Sequence, residues 1–468
     1  MPACLLRRAV AARRVLTAAA ALVAFSSRPC LAQVDTLRTP DSFVQNWKVA
    51  RILGLTLAYN GVMTLYGRYI MKEPGDPAFV VSFDTIENNL KNGLEWDDNT
   101  FSANNFRHPY QGALYFGAAR ANGYDFYEST PWAFVGSWLW EYTGEGHQPA
   151  YNDMVNTTLG GIAIGEGLYR LSSMVLDNTA TGGERNWREL GGLLVHPLRG
   201  VNRLLTGEWF TVHQNPADRS PNWLGGAVTT GTRTLGEEKV FQENRTKVYL
   251  AMDLSYGDPF VDEKLDPFDA FRFGVEITFD NKPKGMSRIN TSGIITGGRV
   301  GDDVGVKHRM FLTQHLNYYD NEAFTFGGQS LAASLLSNGW KLGSVTGRSE
   351  VHAHWVILGG VKSDYDNITG REYDYGPGVA YGLRFTGRYK KTDIFAVANS
   401  GFWVRSLNGT EARHYTNVTS LTGRVPIRGN LSLGAQYFLY LAERNYADYE
   451  DVSQRSPELR LFASFGVE

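Results

Sequence analysis

Cysteine is nearly absent from this chain: two residues among 468, Cys4 and Cys30. Both fall in a segment that reads as a removable leader, so the mature chain is expected to hold neither a disulfide nor a thiolate metal site. Also missing is any apolar run of the roughly 20 residues a helix needs to cross a bilayer. The best candidate, Trp47 to Ile70, is interrupted by Lys48, Arg51, Asn60 and Arg68, each costly in lipid. Excess positive charge is lacking too. The formal net charge is −2, and loss of the leader removes Arg7, Arg8, Arg13, Arg14 and Arg28 but no acid. Nucleic acid is therefore not an expected partner. No Lys-Ser or Lys-Thr follows Gly160, Gly161 and Gly165, which excludes a phosphate loop. No Gly-x-Ser-x-Gly elbow occurs in the N-terminal half, and no cofactor fingerprint is present, so no cofactor is expected.

What is there begins with the leader itself. Four arginines precede an apolar run from Val15 to Phe25, and Cys30-Leu31-Ala32 follows as a small-x-small site. This is the order of a cleaved signal peptide, placed at residues 1–32. A lipid anchor on Cys30 is the competing reading, for which Ser27-Arg28-Pro29 is a poor context. Aromatic residues make up 13% of the chain and there are 51 glycines. Transmembrane β-barrels combine such richness with modest mean hydropathy, because apolar and polar residues alternate along each strand.

The hydrophobic period changes partway along the chain. Residues 33–206 read as a helical domain, with helices expected over Trp47–Ile70, Pro109–Ala121, Pro131–Tyr142, Asp153–Leu176 and Glu184–Leu205. Pro109 and Pro131 suit first-turn positions. Residues 207–222 are rich in polar and turn-forming residues and are taken as a linker. From 223 to 468 the period is two: Phe271, Phe273, Val275 and Ile277 alternate with Arg272, Gly274, Glu276 and Thr278. Such segments, separated by turns such as Asp280-Asn281-Lys282-Pro283 and Asn408-Gly409, predict about twelve strands. Their starts are placed at Leu224, Val248, Phe271, Arg288, Val306, Phe324, Val351, Val379, Thr392, His414, Leu431 and Leu459. The alternation puts Arg272, Glu276, Arg384 and Gln436 on a lumen face and Phe273, Val275, Leu383 and Leu439 on a lipid face. The expected fold is α+β: an N-terminal helical domain followed by an antiparallel transmembrane β-barrel of about 12 strands. A soluble β-sandwich or lipocalin-like barrel is the alternative.

Between Trp96 and Arg170 the residues are unusually distinctive. Trp96-Asp97-Asp98-Asn99, Asn104-Asn105-Phe106-Arg107-His108-Pro109-Tyr110 and Ala119-Arg120-x-Asn122-Gly123 come first. Trp140-Glu141-Tyr142, Glu145, Asn152-Asp153, Gly160-Gly161, Gly165-Glu166 and Tyr169-Arg170 follow. From about Asn88 to Asn178 this resembles a bacterial envelope family known only as domain of unknown function 3943. Pro197-x-x-Gly200-x-Asn202-Arg203 is similar to that family as well. The resemblance implies an envelope location beside a barrel-like tail and assigns no activity. A shorter run, Glu145-x-x-Gln148, Asp153, Asn156 and Gly160, is similar to VanZ-like membrane proteins.

In this region His108, Glu141, Glu145 and Asp153 are the candidates for general acid–base chemistry. Glu141 and Glu145 stand at i and i+4, and Asp153 near a helix start could simply cap it. Arg120, Asn156, Glu166 and Arg170 are candidate binding residues, although Glu166 and Arg170 read most simply as an intrahelical ion pair. A metal prefers several imidazoles and the motif supplies one, so no metal site is assigned. The plain reading is a buried polar network holding helices together. Gly160, Gly161 and Gly165 form a smooth helix surface that a second backbone can approach. His352 and His354 share one strand face, expected to be the lumen.

The expected function is a structural or transport role for an outer-membrane barrel whose helical domain is periplasmic or plugs the lumen. The alternative is an envelope enzyme acting on lipid or glycan through His108, Glu141, Glu145 and Asp153. A scaffold for other envelope proteins is a third. Outer-membrane lipid and the barrel-assembly machinery are the expected partners, and the sequence names no small-molecule ligand.

Overall fold

The structure, a computed structural model, describes residues 47–71, 78–236, 246–261, 264–279, 286–365, 370–390 and 392–467. The expected signal peptide with both cysteines and the turn at Asp280 lie outside the described residues.

The N-terminal part is helical. Helix α1 (Lys48–Tyr66) continues into a π-helical turn, Gly67–Met71, and α2 spans Phe83–Asn92. A π-helical turn at Ala103–Arg107 leads into α3 (His108–Arg120), followed by α4 (Phe126–Thr143). The short α5 (Tyr151–Val155) runs through a π-helical turn, Asn156–Gly160, into α6 (Gly161–Val175). Helices α7 (Gly182–Val195) and α8 (Pro197–Leu205) complete the set.

Local chemistry explains where these differ from expectation. Helix α2 was not foreseen; its start is fixed by Ser82, whose hydroxyl accepts the Thr85 N–H at 3.2 Å, while the Thr85 hydroxyl accepts the Ser82 N–H at 2.7 Å. Helix α4 starts at Phe126 rather than Pro131, because Asp125 and Glu128 form a reciprocal cap at 2.8 and 3.0 Å. Pro131 therefore lies inside the helix, where it has no N–H for the Tyr127 carbonyl; the Thr130 hydroxyl donates to that carbonyl at 2.8 Å instead. The stretch Glu184–Leu205 is two helices, broken at His196 before Pro197. Residues 207–222 are tied down: Arg185 Nε donates to the Trp209 carbonyl at 2.5 Å and the His213 N–H to the Asn178 carbonyl at 3.0 Å.

The C-terminal part is one closed sheet of twelve strands. They are β1 (Leu224–Leu235), β2 (Thr246–Tyr256), β3 (Phe271–Phe279), β4 (Met286–Val300), β5 (Lys307–Asp320) and β6 (Thr325–Leu342). Next come β7 (Val345–Lys362), β8 (Tyr373–Tyr389), β9 (Thr392–Arg405), β10 (Ala412–Arg428), β11 (Leu431–Tyr446) and β12 (Val452–Val467). Neighbours in the chain pair antiparallel, and β1 closes on β12 with Thr229 opposite Ser464. Strands β7, β8 and β12 begin well before the expected Val351, Val379 and Leu459. Their first turns carry glycine, proline and charged residues that hide the alternation.

Arg272, Glu276, Arg384 and Gln436 line an inner cavity of about 580 Å³. On the outside Val351, Trp355, Val379, Leu383, Val425, Leu433 and Leu461 are exposed. A closed sheet leaves no strand edge unpaired, and an apolar outside around a polar inside is what a bilayer requires. The chain is an outer-membrane β-barrel with an N-terminal helical region.

The helices and the barrel share a core. Ala113, Phe116, Phe126, Ile162 and Ile164 pack with Tyr256, Phe268, Phe271, Ile289, Leu316 and Tyr318. Arg272, His315, Asn317 and Tyr319 line the inner cavity, so Phe271, Leu316 and Tyr318 between them point outward. Tyr318 is paired with Ile289, and Phe271 with Tyr256, which puts those two on the same outer face. Phe273 and Val275, expected to meet lipid, are on this outer face, half-buried against the edge of the core that strands and helices share.

Candidate functional site

Three features bring the candidate residues of the helical region together. The first is the close approach of two helices: a Cβ on Gly161 would stand 2.6 Å from the Cα of Gly112, so α3 and α6 touch backbone to backbone. The second is the π-helical turn before α3. It sends Asn104 Nδ2 to the Tyr373 hydroxyl at 2.7 Å and Asn105 Nδ2 to the Tyr375 hydroxyl at 3.3 Å. The third is the π-helical turn after α5, where Asn156 Nδ2 donates to the same Tyr375 hydroxyl at 3.2 Å. Two tyrosines of β8 thus orient three amides flanking His108 and Asp153.

Within this frame His108, Glu141 and Asp153 converge. Each offers one nitrogen or oxygen, and these atoms all lie within 4.8 Å of one another, with all three residues buried. His108 Nε2 is 3.8 Å from Asp153 Oδ1, and Nδ1 lies 3.3 Å from the Thr157 hydroxyl. Asp153 Oδ1 accepts Asn152 Nδ2 at 2.9 Å, and Asn152 Oδ1 in turn accepts the Asp97 N–H at 2.9 Å. Glu141 Oε2 accepts the Ala150 N–H at 3.0 Å, whereas Glu141 Oε1 has no hydrogen-bond partner. Two carboxylates this close and this buried cannot both stay ionised without a compensating cation.

The fourth candidate stands apart. Helix α4 ends at Thr143, so Glu145 is past the last turn and does not continue the Glu141 face. Its Oε2 accepts the Trp140 indole N–H at 3.0 Å, and its Oε1 is 3.9 Å from His147 Nδ1. Asp153 does not cap its helix, because Ala150 occupies that position. Of the binding candidates, Asn156 belongs to the tyrosine-linked frame. Arg120, Glu166 and Arg170 form a separate buried group: Arg120 Nε and Arg170 Nε each reach Glu166 at 2.8 Å. Arg170 then extends to Asp269 at 2.9 Å and the Pro267 carbonyl at 2.8 Å, tying α6 to the turn between β2 and β3.

Sequence reasoning missed Thr157, Tyr373 and Tyr375 as parts of this frame. Thr157 was within reach, lying four residues after Asp153. The tyrosines were not, because nothing local signals a contact over 219 residues.

The lumen is polar and bridged. Arg460 of β12 meets Glu276 of β3 at 2.6 Å, and Arg233 of β1 meets Glu458 at 2.5 Å. Arg272 of β3 pairs with Glu350 of β7. At one end Phe326 of β6 packs on Phe402 of β9 with ring centroids 4.2 Å apart, and Phe324 reaches Tyr440 of β11 at 6.0 Å. These strands are not neighbours, so the contacts cross the interior. His352 and His354 do face it, joined by His315, whose ring lies 4.5 Å from that of His354. Their Nδ1 atoms contact the hydroxyls of Ser334 and Ser330 at 2.7 and 3.1 Å.

Residues 93–198 match the family model described as "Domain of unknown function (DUF3943)". No curated protein matches the chain. Among solved structures, the NanC porin is similar at 8% identity and a TM-score of 0.28, over 52% of this chain and 99% of that one. The outer membrane phospholipase A from Escherichia coli is similar at 13% identity and a TM-score of 0.26, over 52% of this chain and 90% of that one. The outer membrane channel DcaP of Acinetobacter baumannii is similar at 10% identity and a TM-score of 0.20, over 52% and 96%.

Proposed function

We propose that the barrel is an occluded membrane anchor and that the helical region is mounted on its outer wall, inside the outer membrane. The observation that carries this reading is the shared core: its strand residues Phe271, Ile289, Leu316 and Tyr318 belong to the outward-facing set. A domain seated there is beside the barrel rather than in its lumen or below its rim.

Two further features support it. The bundle reaches from Tyr373 and Tyr375 at the start of β8 to Asp269 in the turn between β2 and β3, which lie at opposite rims. Helix α4 has 18 residues, about 27 Å at 1.5 Å per residue, close to a hydrocarbon core of about 30 Å. The exposed faces of α1 and α4 carry Leu57, Val62, Leu65, Phe134 and Trp138, suited to lipid. No helix among the described residues is long and apolar enough to cross a membrane by itself; the barrel wall supplies the other half of the apolar environment.

The test pairs two measurements. Cysteines at Leu57, Val62, Phe134 and Trp138 should resist water-soluble maleimides and react with a lipid-phase photoprobe. Reconstituted protein should show no steady porin-scale conductance, because charged pairs and aromatic rings bridge the lumen. Full aqueous labelling of the four sites would remove the helices from the bilayer, and stable large conductance would restore the transport role. The envelope-enzyme reading is kept for one reason, the convergence of His108, Glu141 and Asp153.

A further inference from the structure

We propose that His108, Glu141 and Asp153 hold one divalent transition-metal ion, zinc being the first expectation. The proposal stands on the geometry of these three residues and does not depend on how deep the helices lie in the membrane.

The donor set is one imidazole nitrogen and two carboxylate oxygens, all within 4.8 Å of each other. Zinc takes such ligands at about 2.0–2.2 Å in a tetrahedron, which sets donors roughly 3.4 Å apart. His108 Nε2 and Asp153 Oδ1 are already at 3.8 Å, so small side-chain rotations close the site. The imidazole selects against calcium and magnesium, which take oxygen ligands.

Charge supplies an independent argument. The other buried acids of the helical region are matched: Glu166 by Arg120 and Arg170, and Glu189 by Arg203 and Arg185. Among the described residues, neither Glu141 nor Asp153 has a lysine or arginine within ion-pair distance. Glu141 is 2% exposed, yet its Oε1 has no partner at all. A buried acceptor left empty is expensive, and a bound cation satisfies both the oxygen and the charge.

The atoms behind the ligands are held as a metal site needs. Thr157 engages His108 Nδ1 and so leaves Nε2 for the ion. The Ala150 N–H fixes Glu141 Oε2, and Asn152 orients Asp153. Three protein ligands leave a fourth position for water or for an oxygen of a bound molecule.

The experiment uses the untagged full-length protein in detergent, stripped with a chelator and titrated with zinc by calorimetry, with bound metal counted by mass spectrometry. One ion per chain is expected. His108→Ala, Glu141→Gln and Asp153→Asn should each weaken binding at least tenfold, and Thr157→Val by about tenfold, the usual effect of losing a partner behind a ligand. Cobalt in the wild-type protein should give the visible absorption of a tetrahedral nitrogen–oxygen site, a readout that needs no variant to fold. Failure of the wild type to bind either metal overturns the proposal, as does stoichiometric binding that His108→Ala leaves unchanged. In either case the cluster is a purely structural polar network. The labelling result at Leu57 and Phe134 is unaffected by any of these outcomes.

Discussion

Gly161 rests against Gly112 so closely that a Cβ on Gly161 would come within 2.6 Å of the Gly112 Cα and 2.5 Å of its carbonyl carbon. What a side chain would meet there is backbone, which cannot rotate away. Gly161→Leu is therefore expected to cost more than the roughly 1–3 kcal/mol typical of overpacking. Protease digestion should then cut the helical region while the barrel keeps its heat-modifiable migration on gels. Glu145→Gln, at a residue outside the His108 cluster, should accumulate and resist protease like the wild type. A protease-resistant Gly161→Leu protein would show that α3 and α6 do not pack as described.

Glu166 is shared by two arginines, and Arg170 carries the link on to Asp269 of the barrel. Replacing the acid by glutamine leaves Arg120 without a charge partner and Arg170 with Asp269 alone. Losing one member of a buried pair costs about 3–5 kcal/mol. A lowered unfolding temperature of the helical region, with added salt giving little rescue, is the expected result. A change of under 1 kcal/mol would mean that water reaches the cluster.

Single cysteines at Arg272, Arg384 and Gln436 should react with a small aqueous reagent entering the lumen, and cysteines at Leu383 and Leu439 should not. Positions 273 and 275 make the sharper test. Phe273 and Val275 are half-buried against the shared core, so cysteines there should resist the aqueous reagent and react with a lipid-phase probe more weakly than one at the exposed Leu383. Lipid-phase labelling at these two sites as strong as at Leu383 would mean that the shared core leaves this part of β3 open.

The barrel was legible because period-two alternation is a local signal repeated twelve times, and one-residue errors of register reverse a whole face. Arg272 and Glu276 fell on the inside by that rule alone. The same rule cannot tell lipid from a packed neighbour, since both accept Phe273 and Val275, which face outward as expected and are partly covered by the shared core. In the helical region, element existence was readable but ends were not. Asp125 and Glu128 override Pro131 as the start of α4, and the helix stops at Thr143, so the i, i+4 spacing does not put Glu145 on the Glu141 face. His108, Glu141 and Asp153 were picked out by residue type within a dense motif. Their meeting depends on Gly112 against Gly161 and on Tyr375, contacts that only the folded chain reveals.

Tyr375 binds two amides from different parts of the helical region, Asn105 at 3.3 Å and Asn156 at 3.2 Å, and is fully buried. Tyr375→Phe keeps the ring and its packing but removes the only atom those amides share. Among the described residues Asn156 Nδ2 then has no other acceptor, while Asn105 Nδ2 retains the Phe101 carbonyl at 3.1 Å. An unsatisfied buried donor costs about 1–3 kcal/mol, so the variant should fold with a loosened contact between helices and wall. Hydrogen exchange should rise at residues 103–107 and 156–160 and stay unchanged in β9 to β12. Tyr373→Phe removes the acceptor of Asn104 and should loosen the first segment alone. If instead Tyr375→Phe raises exchange equally around the barrel, the hydroxyl supports the sheet itself and the anchoring role assigned to it here is wrong.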